Sequence, residues 1–174
     1  MKVHPTPLAG LLLLEPQVLR DERGFFIEAW RAGVPLDAIF VGANLSRSER
    51  GVVRGLHYQV REGQGKLVTV VRGAIWDVAV DLRRASPTFG AWHAEVLSDE
   101  NRRQMWIPVG FAHGFLALSD ADVWYKITSP YRPVDERVLK WDDPDVGIAW
   151  PLDGAPRLSA KDVAGTPLRE TEVF

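Results

Sequence analysis

Cysteine is absent from the 174 residues. That excludes disulfides, thiolate nucleophiles and Cys-based zinc sites. An excess of either charge is also missing. Lys and Arg number 21 against 23 Asp and Glu, a net of -2 at neutral pH. No global basic field points to a nucleic-acid partner. Long apolar runs are lacking as well. Leu11–Leu14 stops at Glu15 and Pro16, and Pro5 and Pro7 interrupt what precedes it. This is a poor signal peptide and far short of the roughly 18 apolar residues of a membrane helix. A soluble, cytoplasmic protein with no membrane partner is expected. Helix signals are few: Pro35–Phe40 and a turn over Ser159–Val163. No repeat, low-complexity stretch or linker is visible. Residues 1–174 therefore read as one domain, with an irregular tail from about Asp142 rich in Pro and Asp.

What the chain does have is a succession of short β-type runs cut by Gly, Pro and Asp. Expected strands are Leu11–Leu14, Phe25–Arg31, Val52–Tyr58, Lys66–Arg72, Ala74–Leu82, Ala91–Leu97, Met105–Pro108, Gly114–Leu118 and Val123–Thr128. Lys66–Arg72 and Ala74–Leu82 flank Gly73 and are expected to pair across it. In Ala74–Leu82 one face carries Trp76, Val78, Val80 and Leu82, the other Ile75, Asp77, Ala79 and Asp81. The face with two Asp meets either solvent or a polar cavity. Seven Trp suit an all-β or ligand-binding chain. The expected fold is all-β, a jelly-roll sandwich or barrel with a few short helices and a concave interior for a small molecule.

Only four His are available for chemistry. His4 lies in an N-terminus expected to be loose, and His93 reads as a partly exposed strand residue. His57 stands in Val53-Arg-Gly-Leu-His-Tyr-Gln59. Gln59 shares its side of the strand, while Arg54 faces away unless Gly55 bends the chain. His113 stands in Pro108-Val-Gly-Phe-Ala-His113, a turn feeding a strand. These segments resemble the paired motifs of cupins, whose metal set is three His and a Glu. Here only His57 and His113 are in place, and Gln59 stands where a further ligand is expected. Two imidazoles and a neutral amide bind a transition metal weakly. The scaffold reads as a cupin without its metal, and chemistry then falls to side chains. The bland alternative is that both His are satisfied core residues.

A closer resemblance runs from about Pro16 to Asp162. Asp21-Glu-Arg-Gly-Phe-Phe-Ile-Glu28, Gln64-Gly-Lys-Leu-Val68, Trp76-Asp-Val-Ala-Val-Asp-Leu-Arg83, Ser86-Pro-Thr-Phe-Gly90, Ile107-Pro-Val-Gly-Phe-Ala-His-Gly-Phe115 and Leu158-Ser-Ala-Lys-Asp162, with the His57 segment, resemble the dTDP-4-dehydrorhamnose 3,5-epimerase family. Seven motifs in order make the likeness specific. It implies a homodimeric, cofactor-free and metal-free isomerase. The implied reaction takes dTDP-4-dehydro-6-deoxy-D-glucose to dTDP-4-dehydro-L-rhamnose by proton transfer at C3 and C5.

That chemistry needs a base on one face of the carbon beside a ketone, an acid on the other, and a cation at the ketone oxygen. His57, with a reference pKa of about 6.5, is the best base among the residues. The resemblance supplies Asp162 as its partner, although after Ser159 a helix cap is the plain reading. It supplies Tyr125 as proton donor, where a packed core aromatic is the plain reading. It makes Lys66 the cation, otherwise a surface lysine, and Asp77 a pocket carboxylate. For the nucleotide and sugar it implies Arg23, Glu28, Asn44, Arg54, Gln59, His113, Tyr131, Glu136 and Lys161. Part of this set is expected from the neighbouring subunit's N-terminal segment, with Phe25, Phe26 and Trp30 supporting the interface. Gly42 departs from the family, which carries Gln there, so one nucleotide contact is missing. The nearest alternative is a mono-epimerase acting at C3 or C5 alone. More distant ones are a metal-dependent cupin and a non-catalytic sugar-binding cupin.

Overall fold

A computed structural model describes residues 1–33, 36 and 38–174. Thirteen strands and one short helix follow in chain order: β1 Lys2–Pro5, β2 Leu12–Glu15, β3 Val18–Asp21, β4 Gly24–Ile27, β5 Gly42–Ser48, β6 Val53–Gln59, β7 Lys66–Arg72, β8 Ala74–Asp81, β9 Trp92–Ser98, β10 Gln104–Ile107, β11 Phe111–Ala117, β12 Ala121–Ile127, β13 Glu136–Val138 and α1 Ala160–Val163. They form a six-stranded sheet ordered β1-β2-β10-β7-β12-β5, a five-stranded sheet ordered β13-β6-β11-β8-β9, and a separate hairpin β3-β4. The strands within each sheet pair antiparallel. The expected all-β jelly roll is what the chain adopts.

The two sheets face each other across an apolar interior. Leu13, Val68, Val70, Met105, Ile107 and Val123 of the larger sheet meet Ile75, Ala79, Leu97, Phe111 and Phe115 of the smaller. Strand alternation explains the sorting: even positions of β7 and odd positions of β8, β11 and β12 point inward. The outer face of the smaller sheet is covered by the C-terminal tail, whose Val146, Ile148, Trp150 and Phe174 pack on Leu56, Tyr58 and Val80. Trp76 lies edge-on to both Trp92 and Trp150 there. The outer face of the larger sheet is covered by Trp30, Leu36 and Phe40.

Several expectations change. β7 and β8 do not pair. They belong to different sheets, and Gly73 turns the chain from one to the other at φ +75°. A Cβ at Gly73 would lie 2.1 Å from the Asp120 carbonyl oxygen, so glycine alone fits. The Asp77 and Asp81 face of β8 meets the interior, and both carboxyls are fully buried. His4 is not loose: it lies on β1 opposite Leu13 and contacts Glu15. His113 lies within β11, because the strand begins at Phe111. The strand expected over Phe25–Arg31 ends at Ile27. The helix expected over Pro35–Phe40 lies partly outside the described residues, and Leu36 and Ala38–Phe40 are not helical. The turn over Ser159–Val163 is helical, with Ser159 as its N-cap.

Candidate active site

At one end the interior changes from apolar to polar. His57 and Gln59 of β6 and Lys66 of β7 face one another there, with Asn44 of β5 and Tyr125 of β12 alongside. They line a cavity of about 370 Å³, with Gln64, Tyr131, Glu136 and Lys161 at its rim. Alternation would turn Arg54 away from it. The pairing of β11 with β6 slips, however: His113 stands opposite His57, but Phe115 stands opposite Arg54. Gly55 absorbs the extra residue at φ +124°, where a Cβ would lie 2.6 Å from Gly114 Cα. Arg54 nonetheless reaches to β5, donating to Ser48 Oγ and the Arg47 carbonyl, and stays exposed outside the cavity lining.

His57 and Asp162, 105 residues apart, meet at 2.6 Å through Nε2 and Oδ1. Helix α1 places the carboxyl. The Asp162 amide donates to Ser159 Oγ at 3.2 Å, and Ser159 Oγ donates to Asp162 Oδ2 at 2.8 Å. Asp162 is therefore both the cap residue of the plain reading and the partner of His57. Burial pushes its pKa up. Hydrogen bonds from His57, Ser159 and the Gly55 amide, with the His57 charge, outweigh that and leave it lowered. An ionised Asp162 accepts only, so Nε2 carries the proton and the neutral ring keeps its lone pair on Nδ1. Nδ1 makes no hydrogen bond among the described residues.

A second His–carboxyl pair lies beside it. His113 Nε2 meets Asp77 Oδ1 at 2.7 Å, wholly buried. Burial lowers the His113 pKa, aided by Lys66 and His57 and opposed by Asp77, so the ring stays neutral. Asp77 Oδ2 has no hydrogen-bond partner. Lys66 is buried and donates to the His57 carbonyl at 3.2 Å. Burial pulls its pKa to about 8, with Asp77 and Glu136 opposing and Lys161 assisting. Tyr125 is pushed up by burial, more than the Asn44 amide and the Arg54 charge pull it down. Its phenol is protonated at neutral pH. Glu136 accepts from Tyr131 at 2.7 Å and from Lys161.

The donor set does not fit a metal. Both ends of the Gln59 amide are engaged with backbone, which leaves two imidazoles as the only donors of that set. No cluster of three or more His, Cys, Asp or Glu able to hold an ion occurs among the described residues.

Comparison with known proteins matches residues 5–170 to the family model of dTDP-4-dehydrorhamnose 3,5-epimerase. The chain belongs to that family. A dTDP-4-dehydrorhamnose 3,5-epimerase of Pseudomonas aeruginosa is 50% identical over 100% of this chain and 99% of its own. One from Neisseria gonorrhoeae is 52% identical over 99% of this chain, which spans only 54% of that longer protein. A crystal structure of the dTDP-6-deoxy-D-glucose-3,5-epimerase of Legionella pneumophila in complex with dTDP-4-keto-L-rhamnose superposes with a TM-score of 0.95. It is 46% identical, over 98% of this chain and 94% of that one.

Within this family member the predicted residues divide. Asn44, His57, Gln59, Lys66, Tyr125, Tyr131, Glu136 and Lys161 line the cavity. Asp162, Asp77 and His113 stand behind that lining. Arg23 and Glu28 do not reach it. Arg23 pairs with Asp21 on the hairpin and Glu28 with Arg31, all exposed. Trp30 packs edge-on against Phe40 at 5.6 Å, with the Lys126 ammonium over its ring at 4.1 Å. At Gly42 a Cβ would lie 3.4 Å from Ile127, so the fold leaves room for a side chain there. Gln64 lines the cavity without having been assigned a role. Its place two residues before Lys66, on the inward parity, was the available signal.

Proposed function

We propose that this chain epimerises dTDP-4-dehydro-6-deoxy-D-glucose at C3 and C5, giving dTDP-4-dehydro-L-rhamnose. The observation that carries the reading is the placement of the His57–Asp162 pair across one cavity from Lys66 and Tyr125. His57 comes from the smaller sheet, Tyr125 and Lys66 from the larger. Inversion needs a base and an acid on opposite faces of one carbon, and opposed sheets supply them. His57 Nδ1 takes the proton, and the C–H electron pair moves to the ketone oxygen. The Lys66 ammonium compensates that charge, and Tyr125 returns a proton from the other wall. Asp162 fixes the His57 tautomer and steadies the imidazolium. Asn44 within the cavity and Glu136, Lys161 and the Tyr131 ring at its rim would contact the nucleotide diphosphate. Arg23 and Glu28 serve the cavity of a second copy in a homodimer.

Turnover in deuterated water tests this. Deuterium should enter at both C3 and C5, and label at one carbon alone would establish the mono-epimerase instead. His57→Ala should lower exchange by about 10²–10⁴-fold. Exchange surviving in that variant would remove His57 as the base.

A further inference from the structure

Gln59 occupies the slot of the first cupin-like motif where a metal ligand is expected, yet at the cavity wall its amide is taken up by backbone groups. It is 3% exposed. Nε2 donates to the Glu62 carbonyl at 3.0 Å and the Pro130 carbonyl at 3.1 Å. Oε1 accepts from the Arg132 amide at 2.8 Å. These partners settle which end of the amide is which, because carbonyls must face the NH2 and an N–H must face the oxygen. A primary amide has two N–H groups, and both are used.

Two of the three partners flank one residue. Pro130 and Arg132 stand on either side of Tyr131, whose ring is 57% exposed and lines the cavity. Little apolar contact holds this loop, since residues 131–134 are all exposed. Polar bonds hold it instead. Besides those of Gln59, Ser129 Oγ donates to the Gly63 carbonyl at 3.0 Å and Gln64 Nε2 donates to the Ser129 carbonyl at 2.8 Å. A loop without a core beneath it opens easily unless such bonds persist. Gln59 is the buried one, rooted in β6 two residues from His57.

We infer that Gln59 is a positioning residue. It fixes the backbone on both sides of Tyr131, so that this ring stands ready as a stacking wall for the pyrimidine nucleotide, and it makes no contact with the substrate itself. The inference rests on the dTDP-sugar reading above.

Calorimetric titration with dTDP alone tests it, on the parent, Gln59→Met, Gln59→Glu, Tyr131→Ala and the Gln59→Met/Tyr131→Ala pair. Met keeps the shape and removes all three bonds, whereas Glu keeps the acceptor for the Arg132 amide and loses both donors. Gln59→Met should raise the dTDP Kd about tenfold, the scale of one base–aromatic stack. Gln59→Glu should weaken binding at least as much, because it turns a carboxylate oxygen on the Glu62 and Pro130 carbonyls. In turnover KM should follow Kd, and kcat should hold its pH profile. The double variant should bind no more weakly than Tyr131→Ala, because the two changes remove the same wall. Additive losses would overturn the inference by showing that Gln59 touches the ligand, and parental affinity in Gln59→Met would overturn it outright. Should Gln59→Met fail to fold, Gln59→Glu decides alone: affinity equal to the parent overturns the inference. A parent that binds dTDP but exchanges no C–H proton would defeat the epimerase reading and leave this one standing. A parent that does not bind dTDP would defeat both.

Discussion

An ammonium group buried beside a cavity is held against its own hydration. For Lys66 that cost draws the pKa to about 8 from an ordinary 10.5. Only the protonated form compensates charge on an enolate oxygen. The rate should therefore fall as pH rises through about 8. A log kcat profile from neutral to alkaline pH checks this. In Lys66→Arg the alkaline limb should move out of range, with a lower plateau because a guanidinium cannot occupy the same point. A parent profile flat through this region would remove the cation from the mechanism. Stability carries the opposite sign. Between about 8 and 10.5 the unfolded chain binds more protons at this group than the folded one. The penalty of the buried charge is complete below that window and shrinks as pH rises across it. Lys66→Met should thus gain most over the parent near neutrality, by urea denaturation, and less above pH 9. His57 was legible as a base from its residue type and motif. Its partner was not, because 105 residues separate the two. Nothing in local spacing distinguishes a capping Asp162 from one aimed at an imidazole, and the folded chain uses it for both.

Elements show the same division between local and non-local information. β7 was readable to its last residue because Leu-Val-Thr-Val-Val is an unbroken, mostly β-branched run between Lys66 and Arg72. β5 was not, since Gly-Ala-Asn-Leu-Ser-Arg-Ser has little β-type character. The reason lies in its neighbours: Asn44 lines the polar cavity beside Tyr125, and Ser48 accepts from the Arg54 guanidinium at 2.8 Å. The supposed hairpin across Gly73 failed on a longer-range fact. Two adjacent strands with a one-residue turn can pair or can change sheets, and the same left-handed glycine serves either. Gly73→Ala would force an unfavourable φ and drive a methyl into the Asp120 carbonyl. A loss of at least about 2 kcal/mol is expected by urea denaturation. Six residues of β7, Leu67–Arg72, and roughly 23 Å of strand separate Lys66 from Gly73. Activity per folded molecule should therefore persist, and a lost kcat with intact stability would contradict this division of labour.

At the scale of the whole molecule, the chain keeps one projecting element away from its own cavity. Among the described residues, hairpin β3-β4 pairs with no other strand, and it exposes Leu19 and Phe26 at 54% and 66%. Phe25 lies beneath the Arg102 guanidinium at 3.7 Å, which braces the hairpin against the body. The motif carrying Arg23 and Glu28 was among the plainest in the sequence, yet where those side chains act cannot be read from one chain. Within their own chain Arg23 meets only Asp21 and Glu28 only Arg31 among the described ion pairs, and neither contact reveals a role in a neighbour. The homodimer reading assigns them to the second copy's cavity, and subunit mixing separates that from a role within one chain. His57→Ala and Arg23→Ala should each be nearly inactive alone. After unfolding and refolding together, half the dimers are hybrids. Each hybrid has one cavity with an intact His57 from one chain and an intact Arg23 from the other. About a quarter of the parental activity should return. No recovery, with hybrids verified by differently tagged subunits, would place Arg23 in the service of its own chain or of none.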